Sequence, residues 1–340
     1  MKTTLIKALP GLVMLIAGAT VSTAQDSPLG SPAASAGRFE TNYSEAVRAA
    51  LPRVDAASLE KLITGVRAAA AAEKPLAITN LRDLEHAFGL RERAEADASG
   101  FIDVGEAVYQ VDGDRQRIYL AFRNAEPRPV LRKEFAREVA AIREAHRTLA
   151  DRLGIPRQEV LFTDAREILS ETDGHPELEK GLQGEIQAGG MVTTMLRAVG
   201  GILVEGSYAR LSSLDSKRLD LVDVRWPPVR LSEAALKGGL RAPREAIESV
   251  ARRVAKDSKG QAVNVRMAVV LRPVEPDRTR RGIEFVPSLK IGVEPRSIRI
   301  REGYRTDAGE VFYVDLVRGA PPFADVDEPD EAEPGARPKG

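Results

Sequence analysis

The strand-like patterning of residues 191–226 is the feature that most constrains the fold of this 340-residue chain. Three β-rich runs occur here: Met191–Arg197, Ile202–Leu211 and Leu219–Trp226. They are separated by the Gly200-Gly201 pair and by the polar turn SSLDSKR. Short connections of this kind join antiparallel neighbours, so the pattern predicts a meander.

A long amphipathic helix is predicted just before the meander, over Leu131–Leu153. Five apolar residues share one stripe of this helix: Phe135, Val139, Ile142, Leu149 and Leu153. His146 falls on the same stripe, where we expect a half-buried packing residue. Shorter helices are predicted at 44–51, 56–72 and 80–92. Asp112-Gly113 marks a β-hairpin between β-rich runs, because Gly113 can adopt the positive φ of a hairpin turn. We therefore expect an α+β fold with helices packed on antiparallel, meander-type sheets.

The hairpin carries a motif that resembles the propeptide domain of fungalysin- and thermolysin-type proteases. The matching residues are Arg197, Gly201, Ile202, Val204, Gly206 and Ser207, followed by a strand that ends at Trp226. The resemblance covers about residues 135–226 and implies a module related to the PepSY and cystatin-like domains. We interpret the motif as structural, with Gly201 in the turn and Gly206 at a bulge or a close backbone approach.

A second module is predicted at 241–319. Its helix Pro243–Lys256 is followed by runs at Val263–Leu271, Ile283–Val293 and Gly309–Val317. This order of helix and meander resembles a PepSY-like unit more weakly, because no motif supports it.

Both ends of the chain differ in composition from its middle. Residues 1–24 have a basic start, a short apolar core and small residues before Gln25, as in a signal peptide, with an uncleaved membrane anchor as the alternative. A flexible leader is predicted at 25–40, and a disordered acidic tail at 320–340. Between them we expect a helical region with a hairpin at 41–124 and the two modules, at 131–230 and 241–319. The chain would be an exported bacterial protein, periplasmic or extracellular, with no transmembrane segment after cleavage.

Composition makes several classes of function improbable. The absence of cysteine excludes disulfides and thiol catalysis, and fifty basic residues balance fifty acidic ones, so no nucleic-acid footprint is expected. No zinc-protease motif and no nucleotide-binding loop occurs, so no cofactor or metal and no catalytic residue is assigned. The one candidate polar site is His175 with Glu177, in the loop-like segment ETDGHPELEKG.

Three functional hypotheses remain. The first is an exported, non-catalytic binding protein, such as a protease inhibitor or chaperone-like module, because propeptides of this kind recognise a protease or an extended polypeptide. In that case an exposed sheet edge would accept a partner strand, and Met191–Arg197 is the expected edge. The alternatives are a cell-envelope hydrolase with an unrecognised site and a structural envelope component. The sequence does not indicate an oligomeric state.

Overall fold

The computed structural model describes residues 17–20, 43–90, 97, 100–123, 130–171, 186–258, 263–274, 283–295, 300–301, 304–305 and 310–319. The helices in these residues are 43–50 (α1), Ala56–Ala71 (α2), Leu81–Phe88 (α3), Arg132–Arg152 (α4), Glu233–Leu236 (α5) and Ile247–Asp257 (α6), with 3₁₀ turns at Arg157–Glu159 and Pro243–Ala246. The strands are Ala17–Thr20 (β1), Ile102–Asp103 (β2), Ala107–Asp112 (β3), Arg117–Phe122 (β4), Val130–Leu131 (β5), Val160–Glu171 (β6), Ile186–Val199 (β7), Ile202–Ser213 (β8), Leu219–Arg225 (β9), Arg230–Leu231 (β10), Val263–Val274 (β11), Glu284–Pro295 (β12), Ile300–Arg301 (β13), Tyr304–Arg305 (β14) and Glu310–Asp315 (β15).

The chain divides into two compact units, each built from segments that are separate in sequence. The first unit contains residues 1–63, 232–271 and 286–340, and the second contains 64–231 and 272–285. The expected α+β class is confirmed, since helices accompany a large, mostly antiparallel sheet. The predicted domain boundaries stay predictions.

The second unit is built around a twisted antiparallel sheet in the order β2-β3-β4-β9-β8-β7-β6. The predicted meander is present as β7, β8 and β9. The predicted hairpin, β3–β4, pairs with β9 and so extends the same sheet. Strand β6 was not predicted, because its run of VLFTDAREILSE mixes apolar and charged residues without a clear alternation.

Helix α4 covers one face of this sheet, as its apolar stripe predicts. Phe135 and Ile142 pack with Met191 of β7 in one buried cluster. Leu149 and Leu153 join the larger core of the unit. Burying each such side chain contributes about 1.5–3 kcal/mol, so this stripe holds the helix on the sheet.

The loop of the β3–β4 hairpin forms for a different reason than its sequence suggests. Gly113 was expected to supply a positive φ, but the positive φ in this loop is at Gln116, at 47°. A Cβ on Gly113 would lie 2.2 Å from the carbonyl oxygen of Thr79. Gly113 therefore serves a close backbone approach, and the side chain of the buried Gln116 accepts a hydrogen bond from the amide of Leu76 at 3.2 Å.

The first unit contains helix α6, strand β15 and most of strands β11 and β12. Strand β12 pairs with β15 in antiparallel register, from Ser288 opposite Asp315 to Val293 opposite Glu310. Strand β1, which lies inside the predicted signal peptide, pairs with residues 264–267 of β11. The side chain of Arg241 donates to the carbonyl oxygen of Asp315 through Nε at 2.9 Å and Nη2 at 2.6 Å.

Candidate functional site

Arg197, from the propeptide-like motif, is the fully buried centre of a polar cluster in the second unit. Its Nε donates to Oε2 of Glu159 at 2.7 Å, and its Nη1 donates to the carbonyl oxygen of Pro227 at 2.6 Å. Its Nη2 donates to Oε1 of Glu73. The guanidinium carbon lies 5.1 Å from the ring centroid of Trp226. The motif therefore joins its arginine to its tryptophan in space.

The two carboxylates of this cluster each have a further donor. Oε2 of Glu159 accepts from the indole nitrogen of Trp226 at 3.2 Å, and Oε2 of Glu73 accepts from the amide of Val229 at 3.0 Å. Buried charges are tolerated when they are paired and hydrogen-bonded in this way. Because the Arg197 side chain is 0 % exposed, no substrate can reach it. The cluster ties distant segments of the chain together, as expected for a structural motif.

The Gly200-Gly201 pair forms the two-residue turn between β7 and β8. Val199 and Ile202 pair across the turn, and the two glycines have φ angles of 59° and 84°. Two consecutive positive φ angles match the right-handed twist of a hairpin. A Cβ on Gly200 would lie 2.6 Å from the amide nitrogen of Val66. The close backbone approach in this motif is therefore at Gly200.

Gly206 lies at a bulge in β8, which is one of the two alternatives that we predicted for it. The register runs from Leu196 opposite Tyr208 to Ala198 opposite Leu203, which leaves extra residues in β8. The φ of Gly206 is 72°, and a Cβ there would meet no atom within 4 Å. The alternative of a close backbone approach at Gly206 is therefore wrong, and its backbone conformation is the reason for glycine.

The remaining motif residues of β8 are buried parts of the sheet. Ile202 and Val204 are 2 % and 1 % exposed. Ser207 is also buried, and its Oγ donates to the carbonyl oxygen of Arg225 at 3.0 Å. This hydroxyl holds the β8–β9 pair together and has no basic side chain as its partner in that bond, so it is not placed as a nucleophile.

His146 sits between α4 and the sheet, with both ring nitrogens bonded to hydroxyls. Nδ1 lies 2.7 Å from Oγ1 of Thr193, and Nε2 lies 2.9 Å from Oγ of Ser213. Burial lowers the pKa of His146 to about 4, so its ring is neutral at pH 7. A histidine hydrogen-bonded to a serine is a pair that can act as base and nucleophile in catalysis. Here both are buried and closed to substrate, so the expected packing role of His146 is confirmed, but its side chain is fully buried and not half-buried as expected.

His175 and Glu177, the candidate polar site, lie outside the described residues. Their role stays a prediction.

The sheet of the second unit ends in a long strand with exposed apolar side chains. Within the described part of the chain, β6 pairs with β7 alone. Leu161, Phe162 and Ile168 are 39 %, 53 % and 41 % exposed. The expected edge, Met191–Arg197, is wrong, because these residues lie in β7 with β6 on one side and β8 on the other. Sequence reasoning missed this edge because it missed the strand.

A shallow groove follows β6 on the sheet face opposite α4. It has a volume of about 330 Å³ and is lined by side chains that face each other across β6 and β7: Phe162, Asp164 and Arg166 with Leu196, Thr194 and Val192. The groove is apolar at its Phe162–Leu196 end. It is charged at its middle, where Asp164 lies, and at its other end, where Arg166 pairs with Asp164.

Among the described residues, no group of three or more histidine, aspartate or glutamate side chains could hold a metal ion. The described helices include none that combines the length and the apolar character needed to cross a membrane.

Comparison with known proteins leaves the chain without an assigned family. No family model matches it, and no curated protein matches it. A crystal structure of an uncharacterized protein from Eubacterium rectale is similar at 10 % identity, with a TM-score of 0.41, over 80 % of this chain and 83 % of that protein.

Proposed function

We propose that this protein is an exported, non-catalytic binding protein that takes up an extended polypeptide at the outer edge of β6. The observation that carries the proposal is the edge itself: twelve residues long, paired on one side in the described structure, with Phe162 and Ile168 about half exposed. An edge strand presents unpaired amide and carbonyl groups, and one with exposed apolar side chains is a template for another strand.

The groove beside β6 defines what the partner strand needs. Side chains of an added strand alternate between faces, so every second one stands beside the row formed by Phe162, Asp164 and Arg166. An apolar side chain fits beside Phe162. A basic side chain fits beside Asp164 and an acidic one beside Arg166, since opposite charges on neighbouring strands attract and like charges repel.

The resemblance to protease propeptides agrees with this function, since such domains recognise polypeptide. It is also the basis for expecting PepSY-like modules and a protease as one partner. Export rests on the signal-like residues 1–24. The hydrolase alternative depends on His175 and Glu177, and the structural alternative has no observation in its favour among the described residues.

Charged substitutions at the exposed edge test the proposal without disturbing the core. Phe162→Glu and Ile168→Glu place carboxylates on β6, where an approaching strand would bury them. Val311→Glu is the matched control, because Val311 is 49 % exposed on β15 of the first unit. The probe is reduced, labelled casein, an unfolded polypeptide, and binding is followed by fluorescence anisotropy. Circular dichroism establishes that each variant is folded.

We expect the wild-type chain and Val311→Glu to bind casein alike, and Phe162→Glu with Ile168→Glu to bind at least about tenfold more weakly, a loss of about 1.4 kcal/mol. A dissociation constant above about 1 mM for the wild type would refute the proposal. Loss of binding in Val311→Glu alone would move the site to β15. Cleavage of casein that disappears in His175→Ala would overturn the non-catalytic assignment.

A further inference from the structure

The sheet face opposite α4 carries a second group of side chains, on β4, β8 and β9. Successive residues of a strand point to opposite faces, so residues in register across these strands share one face. One row is Tyr208, Arg225 and Arg117, and the next is Arg210, Asp223 and Tyr119. We call these six residues the basic face.

The cations of the basic face are held on an aromatic ring. The guanidinium carbons of Arg210 and Arg225 lie 5.5 Å and 5.4 Å from the centroid of the Tyr208 ring. The hydroxyl of Tyr208 donates to Oδ2 of Asp223 at 2.7 Å, and burial raises the pKa of this tyrosine to about 12. Three arginines of the face outnumber Asp223 and the neighbouring Asp112 of β3, which lies opposite Arg117, so the face is net positive, with Arg210 and Arg225 exposed.

Two buried polar atoms of the face lack a hydrogen-bond partner within the described residues. One is an acceptor, Oδ1 of Asp223, and the other is a donor, Nε of Arg117. Asp223 is 7 % exposed, and its Oδ1 lies 3.9 Å from Nε of Arg225, beyond hydrogen-bond distance. Buried polar groups are costly when unpaired, so the face gains from a ligand that brings both a donor and an acceptor.

From these features we infer that the basic face is a binding site for an acidic polypeptide segment. Its carboxylates draw the exposed Arg210 and Arg225 away from the Tyr208 ring, and its main-chain amides then reach the two covered atoms, supplying the N–H that Asp223 lacks and the carbonyl oxygen that Arg117 lacks. A polyphosphate or DNA backbone supplies acceptors only, so it has no donor for Asp223 to offset the repulsion between their charges. The inference rests on the geometry of this face and holds whether or not β6 accepts a strand.

The chain offers a probe of the required chemistry, because six acidic residues fall within Asp325–Glu333. The labelled probe is a synthetic peptide of residues 320–340. The protein is the full chain with those six residues changed to Asn or Gln, so that its own carboxylates cannot compete. We expect binding that weakens at high salt and falls at least about tenfold in Arg210→Gln with Arg225→Gln. Arg143→Gln with Arg147→Gln is the control, because it makes the same change of charge on the exposed side of α4.

Asp223→Asn separates the two classes of anion. It should weaken peptide binding, because an N–H bonds a carboxylate about twice as strongly as a neutral amide. It should strengthen the binding of inorganic polyphosphate, because a repulsive charge is removed. Equal losses of peptide affinity in the Arg210/Arg225 variant and in the Arg143/Arg147 control would overturn the inference. Polyphosphate binding that is as tight as peptide binding and does not change in Asp223→Asn would also overturn it.

Discussion

His146 should make the stability of this protein depend on pH between about 6.5 and 4. Its side chain is 1 % exposed, and its two nitrogens are bonded to the hydroxyls of Thr193 and Ser213 at 2.7 Å and 2.9 Å. Burial lowers its pKa from 6.5 to about 4. A proton on this ring would place an unpaired charge between α4 and the sheet.

The sign of the effect follows from which state binds the proton first. Below pH 6.5 the unfolded chain protonates this histidine, whereas the folded chain does so only near pH 4. The contribution of the neutral His146 to stability is therefore fully present above pH 7 and is lost as the pH falls. At about 1.4 kcal/mol per pH unit, the free energy of unfolding drops by about 3 kcal/mol between pH 7 and pH 4.

Urea denaturation at pH 7, 5.5 and 4.5 measures this loss. His146→Gln should be less stable than wild type at pH 7. Its free energy of unfolding should change little over the same pH range, because it has no titrating ring at this buried position. His86→Gln is the control, since His86 lies exposed on α3 and its loss should leave the wild-type slope. Wild-type stability that stays constant down to pH 4.5, or a slope that persists in His146→Gln, would refute the reasoning.

Three further substitutions test the structural reading of the hairpin motif. Arg197→Met should lower the free energy of unfolding by about 3–5 kcal/mol, because it leaves the carboxylates of Glu73 and Glu159 buried without their cation. Urea melts at pH 7 check this, and a loss under about 1 kcal/mol would mean that the carboxylates find other partners. Gly206→Ala should cost about 1–2 kcal/mol through its positive φ alone. Gly200→Ala should cost more, since its Cβ would also lie 2.6 Å from a backbone nitrogen, and equal losses would contradict this account.

Local features of the fold could be predicted because they depend on neighbours in the chain. The stripe of α4 predicts a helix that covers a sheet, and the Gly200-Gly201 pair predicts a tight turn between two strands. His146 follows the same stripe, so its burial was predictable. The hydroxyls of Thr193 and Ser213 that meet its ring were not, because they belong to other strands.

The candidate sites were less predictable for the same physical reason. The carboxylate partners of Arg197 are Glu73 and Glu159, and no sequence pattern distinguishes these two from the many other glutamates of the chain. The edge at β6 was missed because its run mixes apolar and charged residues without the alternation that predicts a strand. The basic face could not be predicted from the sequence, because each of its rows is formed by residues of three different strands that lie opposite one another in the sheet.

The sequence by itself determined the α+β class, the position of α4 and the hairpin turn, because periodicity and glycine act within a few residues. Only the tertiary structure decided which strand lies at the edge, which carboxylates neutralise Arg197 and that the β3–β4 hairpin extends the meander through β9. These outcomes depend on pairing between segments far apart in the chain. Such pairing is selected by the packing of the whole core, and no local pattern encodes it.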